Sequence, residues 1–181
     1  HPDIHMSSLK EPHFFTELIT ETSLNKKHSS WITTHKAYSE IFSGWNLNHQ
    51  YIGESSPSYF WDPQAPSKIK DFNPSSKVIV ILRDPIARAF SHYTMDFNAG
   101  RETKTSFLEA LKNDQKRAEK KWGTSRLYLE LGLYSESIKR FKALFGENLK
   151  ILFFEKFFTE KSQLNDLLSF LTAKAEVHHF V

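Results

Sequence analysis

Five consecutive apolar residues, Val78 to Leu82, constrain this chain more than any other stretch. Most are β-branched, which reads as a strand buried on both faces, the usual state of a central parallel strand. Arg83 follows at the strand end. Asp84 supplies an oxygen that can cap a helix, and Pro85 suits the first helical position, where no N–H is needed. Arg83 is thereby held at the carboxyl end of a central strand, beside a helix N-terminus. In open α/β sheets ligands bind along that edge, and a helix N-terminus favours anions. Ser91, two turns into the helix, reaches the same anion only if the ligand lies along the helix.

The rest of the chain alternates strands and helices. An amphipathic helix is expected over 35–45, with Tyr38, Ile41, Phe42 and Trp45 on one face and Gly44 at its end. A short strand over 50–54 runs into the polar turn 55–59. Asp62-Pro63 marks a second capped helix start, with Ala65, Ile69 and Phe72 inward, closed by Asn73-Pro74. A further helix is expected over 105–122. Phe107, Leu111, Ala118 and Trp122 form its inner face, and Lys112, Lys116 and Lys120 line another. That basic line reads first as a solvated face and second as a patch for an anionic acceptor. A short helix over 125–133 precedes a helix striped by Tyr134, Ile138, Phe141 and Phe145 and ended by Gly146. A strand over 150–154 and a helix over 162–171, with Leu164, Leu167, Leu168 and Leu171 inward, complete the pattern. The class is α/β with a parallel sheet, in a single domain over 1–181.

Composition narrows the function. With 181 residues, 39% hydrophobic and 25% charged, the chain can bury a core. A net charge of +3 is compatible with an anionic ligand and too small to argue for nucleic acid. No apolar run is long enough to span a bilayer. There are no cysteines, which excludes disulfides, thiolate metal sites and cysteine nucleophiles. Asn73-Pro74-Ser75 is blocked as a glycosylation sequon by its proline. These absences lean towards a reducing compartment, the cytoplasm. His1 and His5 share ligand spacing with no third ligand nearby, so they read as a frayed terminus and no metal is expected.

The segment from Lys77 to Tyr93 resembles the 3′-phosphate-binding segment of sulfotransferases that use 3′-phosphoadenosine-5′-phosphosulfate (PAPS). Three other stretches agree in order. Lys10-Glu11-Pro12-His13-Phe14-Phe15 resembles the Lys-Glu-x-His-Phe-Phe segment of the heparan sulfate type of glycan sulfotransferase. Gly53-Glu54-Ser55-Ser56-Pro57-Ser58-Tyr59 resembles their Gly-Glu-x-Ser-Pro-x-Tyr segment. Gly132-Leu133-Tyr134 and the stretch 151–157 resemble the family's later helix and strand. The resemblance implies a P-loop-NTPase-like three-layer fold and PAPS as co-substrate. It implies a small-molecule or glycan acceptor, and it makes the Golgi lumen the alternative compartment.

Residue by residue, the resemblance assigns Arg83, Ser91 and Tyr134 to the donor nucleotide. Arg83 suits a phosphate because its planar fork gives two parallel charge-assisted bonds. Read without the family, Arg83 is equally a strand-end arginine paired with a nearby acid, and Arg88 a solvated helix arginine bonding Asp84. Glu11 would be the general base, since a glutamate carboxylate is ionised at neutral pH and can accept a proton. Lys10 and His13 would lie in the same cleft as an electrostatic aid and an orienter. Composition alone favours a blander reading of that segment: a solvated Lys10–Glu11 pair, an extended Glu11 before Pro12, and a core aromatic pair.

The pattern also departs from the family. Ser55 stands where the glycan enzymes carry lysine. None of the six glycines belongs to a Gly-rich loop that cradles a 5′-phosphosulfate. His1 resembles the point just after the family's first helix, and the family's C-terminal basic segment that covers the 3′-phosphate is expected to be missing beyond Val181. The chain is therefore expected to be a piece of a longer protein, incomplete at its N-terminus. The alternatives are a homologue of the same fold that binds nucleotide or glycan without turnover, and a P-loop kinase.

Overall fold

The structure is a computed structural model that describes residues 2–16, 32–114, 127–157 and 159–172. It is α/β with parallel strands. Strand β1 (Ile4–Met6) pairs in parallel with β2 (Tyr51–Gly53), His5 opposite Ile52. Strand β3 (Val78–Leu82) pairs in parallel with β4 (Leu149–Phe153), Val80 opposite Ile151. Among the described residues the parallel sheet is thus present as two two-stranded pieces. Parallel neighbours require crossovers, and helices supply them. Helix α1 (His35–Glu40) lies between β1 and β2; α2 (Ser58–Trp61) and α3 (Ala65–Phe72) lie between β2 and β3. Helices α4 (Pro85–Asn98), α5 (Phe107–Lys112) and α6 (Tyr134–Phe145) lie between β3 and β4, with a 3₁₀ turn at Glu130–Gly132. Helices α7 (Phe154–Phe157) and α8 (Lys161–Thr172) follow β4. Among the described residues no helix is long and apolar enough to cross a membrane.

The strand-to-helix turn at Arg83 forms as the sequence requires. Asp84 is the N-cap of α4, its Oδ1 accepting the Ala87 N–H at 2.8 Å, and Pro85 opens the first turn. Replacing Asp84 with alanine should cost about 1 kcal/mol of stability, read as a lower midpoint in urea. An unchanged midpoint would show the cap to be idle. Helix α6 ends at Gly146, whose positive φ of 49° glycine takes without strain.

Several expectations are corrected. Strand β3 is not buried on both faces: Val80 and Leu82 are buried, whereas Ile79 and Ile81 are 40% and 48% exposed. Only one face of it is covered by described residues. His5 does not lie in a frayed terminus but in β1, its imidazole so close to Gly44 that a Cβ there would meet it at 2.9 Å. His1 lies outside the described residues. Helix α1 stops at Glu40, before the turns around Ile41 to Gly44. Helix α3 starts at Ala65, and the buried Asp62 accepts from the Gln64 N–H and the Thr16 hydroxyl instead of capping at Pro63. The helix expected over 105–122 is helical over Phe107–Lys112. Its second half, with Lys116, Ala118, Lys120 and Trp122, lies outside the described residues, as does the start of the helix expected over 125–133. Leu164 in α8 is exposed.

Among the described residues two buried clusters fix the connections. In the first, Phe15, Ile32, Tyr38, Tyr59 and Ala65 pack with Phe14, Ile69 and Phe72 around them. The Phe14 ring stacks on Tyr38 at 4.3 Å, so the aromatic pair Phe14–Phe15 is core. The second joins Ala89, Tyr93, Ala110 and Tyr128. Here the buried Asp114 accepts from the N–H groups of Tyr128, Leu129 and Glu130 at 2.7, 2.7 and 3.2 Å. Arg88 is tied to this cluster: it is part-buried and donates to the Tyr128 carbonyl. It is therefore a tie between α4 and the segment before the 3₁₀ turn, and the expectation of a solvated arginine on Asp84 does not hold. Burial lowers its pKa, opposed by Tyr134 and Asp114.

Candidate functional site

The side chains of interest gather behind the carboxyl ends of the strands, in two groups. The first follows β3 and β4. The Arg83 guanidinium lies 4.9 Å over the Phe154 ring, within cation–π range. Its carbonyl accepts from the Tyr134 hydroxyl at 3.1 Å. The next N–H, that of Asp84, donates to Glu155 Oε1 at 3.0 Å. Arg83 is thus held from the backbone side by α6 and α7, and no acid among the described residues pairs with its guanidinium. Arg83 and Ser91 line one open groove of about 540 Å³, with Ala87, Phe90, Thr94, Met95 and Asn98 along α4. A ligand in this groove lies along the helix, the condition under which Ser91 can share it.

The helix N-terminus contributes less to this groove than expected. Pro85 has no N–H, and the Ala87 N–H is taken by Asp84. The polar groups lining the groove are the side chains of Arg83, Ser91, Thr94 and Asn98. Burial raises the Tyr134 pKa, opposed by the Arg88 charge and the bond to Arg83. As a donor to the Arg83 carbonyl, Tyr134 acts on how Arg83 is presented.

The second group follows β1 and β2. Lys10, Glu11 and His13 come together: Lys10 Nζ is 3.8 Å from Glu11 Oε1, and His13 Nε2 is 3.7 Å from Glu11 Oε2. The Lys10 side chain is 90% exposed, so its attraction to Glu11 is largely screened. Glu11 is not extended. Glu11 and His13 have φ of 53° and 54°, the left-handed region, which costs a non-glycine residue roughly 1–2 kcal/mol. The loop persists because distant residues tie it down. The His13 N–H donates to Ser56 Oγ at 3.1 Å, and His13 Nδ1 is hydrogen-bonded with Ser58 Oγ at 2.7 Å. The Ile32 N–H donates to the Pro12 carbonyl at 3.2 Å. These tertiary bonds override the extended preference that Pro12 imposes on the residue before it.

Beneath the loop lies Glu54, a residue to which the sequence reading gave no role. Its carboxylate accepts from Ser56 at 2.8 Å and from Tyr38 at 3.4 Å, with the Tyr59 hydroxyl beside it. Burial raises the Glu54 pKa, and the hydroxyls of Tyr59, Ser56 and Tyr38 oppose the rise. The signal in the sequence was a carboxylate at a strand end followed by hydroxyls and a proline. Phe154 and Glu155 also escaped notice, because their role depends on β4 lying beside β3. Helix α2 joins the two groups: Ser58 at its start meets His13, and Phe60 packs 6.1 Å from the Tyr134 ring. Among the described residues no cluster of His, Asp and Glu could hold a metal ion.

Fold and groove define an α/β protein with an open groove, lined in part by Arg83 and Ser91, at a strand-to-helix turn. Comparison with known proteins specifies the class. The chain is similar to a sulfotransferase of known structure from Alicyclobacillus acidocaldarius, with a TM-score of 0.88 and 31% identity over 96% of this chain and 72% of that one. It is 29% identical over 139 residues to human heparan sulfate glucosamine 3-O-sulfotransferase 3B1, covering 77% of this chain and 31% of that protein. It is 34% identical over 94 residues to the mouse protein of that name, 52% of this chain and 20% of that protein. The matches span less than a third of these curated relatives. No family model matches the chain. The chain belongs to the sulfotransferase family.

Proposed function

We propose that this chain is the nucleotide- and acceptor-binding part of a PAPS-dependent sulfotransferase acting on a hydroxyl or amine, in the first place of a carbohydrate. The observation that carries this reading is Arg83. Its guanidinium is held over Phe154, has no acid partner among the described residues, and opens with Ser91 onto one groove. That donor set suits a phosphate dianion: a planar fork for two parallel bonds and a hydroxyl for a third. In this reading Arg83 and Ser91 hold the 3′-phosphate of the donor, and Tyr134 fixes the Arg83 backbone beneath it. The names of the curated relatives support a sugar as acceptor.

PAPS supplies an activated sulfuryl group whose bond to the 5′-phosphate breaks as the acceptor oxygen bonds to sulfur. Sulfuryl transfer, like phosphoryl transfer, depends on in-line positioning and charge neutralisation more than on covalent catalysis. Glu11 takes the acceptor proton on a carboxylate oxygen, which leaves a sulfate ester and 3′-phosphoadenosine-5′-phosphate (PAP). His13, 3.7 Å from Glu11, orients that carboxylate, and Lys10 adds positive charge at the mouth of the cleft. The test is transfer of labelled sulfate from PAPS by the full-length protein to a panel of oligosaccharides. Labelled sulfate ester is the expected product. PAP binding without transfer to any acceptor would instead support a binding module of the same fold.

A further inference from the structure

We propose that Glu54 and Ser56 form a positioning relay that holds the Glu11–His13 loop in its left-handed conformation. The inference rests on the reading of Glu11 as proton acceptor. It starts from two adjacent oddities, the positive φ of Glu11 and of His13 on either side of Pro12. Neither residue favours that region, so the loop needs a tie from outside itself. Ser56, buried and more than forty positions along the chain, makes that tie by accepting the His13 N–H.

A serine hydroxyl has one hydrogen to donate and lone pairs to accept with. If its hydrogen turned towards His13 N–H, two donors would face each other and the tie would become a repulsion. Glu54 prevents this by taking the Ser56 hydrogen on Oε2 at 2.8 Å. The Ser56 lone pair is then left for His13. Tyr38 donates to the other carboxylate oxygen at 3.4 Å and keeps it turned to the loop. Ser58 meets Nδ1 of His13, which directs Nε2 to Glu11. Glu54 thereby sets the place of Glu11 through two intermediaries, without needing to touch substrate.

The relay is tested in the full-length protein by Ser56→Ala, Ser56→Thr, Glu54→Leu and Glu54→Gln. Ser56→Ala and Glu54→Leu should each lower kcat at least tenfold, leave PAP affinity as in wild type, and speed hydrogen exchange of the His13 amide. Ser56→Thr keeps the hydroxyl and Glu54→Gln keeps an acceptor oxygen, so both should recover most of kcat. Retained PAP affinity separates this outcome from general unfolding. Wild-type kcat and wild-type His13 exchange in Ser56→Ala would overturn the relay, and the same in Glu54→Leu would remove Glu54 from it. If the wild-type protein transfers no sulfate, the enzymatic reading fails, and His13 exchange alone then decides whether the relay exists.

Discussion

Arg83→Ala should weaken PAP binding by about 100-fold while leaving the fold intact. Hydrogen bonds to charged groups contribute about 1.5–3 kcal/mol each, so losing a forked pair removes about 3 kcal/mol, and each 1.4 kcal/mol is tenfold. The fold should survive because the guanidinium is engaged only with the Phe154 ring among the described residues. The bond from Tyr134 goes to the Arg83 carbonyl, and alanine keeps that carbonyl. Arg83→Lys should recover part of the loss, since an ammonium supplies charge without the fork. Calorimetry with PAP and with its analogue lacking the 3′-phosphate reads the effect. The two ligands should differ strongly in wild type and little in Arg83→Ala. If PAP bound Arg83→Ala as tightly as wild type, the 3′-phosphate would lie elsewhere.

The strand-to-helix turn at Arg83 was legible in the sequence because its determinants are local. A β-branched run, an aspartate cap and a proline at the first helical turn occupy eight consecutive positions, and each acts within one turn of itself. The observed cap bond from Ala87 to Asp84 is that local chemistry. What was misread depends on contacts between distant residues. Strand β1 is three residues of mixed polarity, Ile4-His5-Met6, and exists because β2 lies beside it. Arg88 is drawn inward by the Tyr128 carbonyl, forty positions away. The reversed φ of Glu11 follows from the bond that Ser56 accepts from His13, and no rule about the residue before a proline contains that bond. The structure places Lys10 and His13 beside Glu11, a grouping that the family resemblance assigned to one cleft and that periodicity could not have suggested. The conformation of their loop is set by residues 54–58 beneath it.

The acceptor end should be the more sensitive to a change of a single atom. Glu11→Gln should reduce sulfate transfer on the order of 100- to 10,000-fold, the range in which a positioned general base contributes. The substitution exchanges a carboxylate oxygen for an amide nitrogen and alters little else. Glutamine is no worse than glutamate at φ 53°, and the lost attraction to Lys10 is at an exposed pair worth little. Stability should therefore be unchanged, and so should PAP affinity, because Arg83 and Ser91 lie in the other group. The comparison with Arg83→Ala makes the division testable: one variant should bind PAP and fail to turn over, the other should fail to bind it. If Glu11→Gln kept near-normal turnover, Glu11 would not be the base. His13, whose Nε2 lies 3.7 Å from Glu11 Oε2, would then be the next candidate to test.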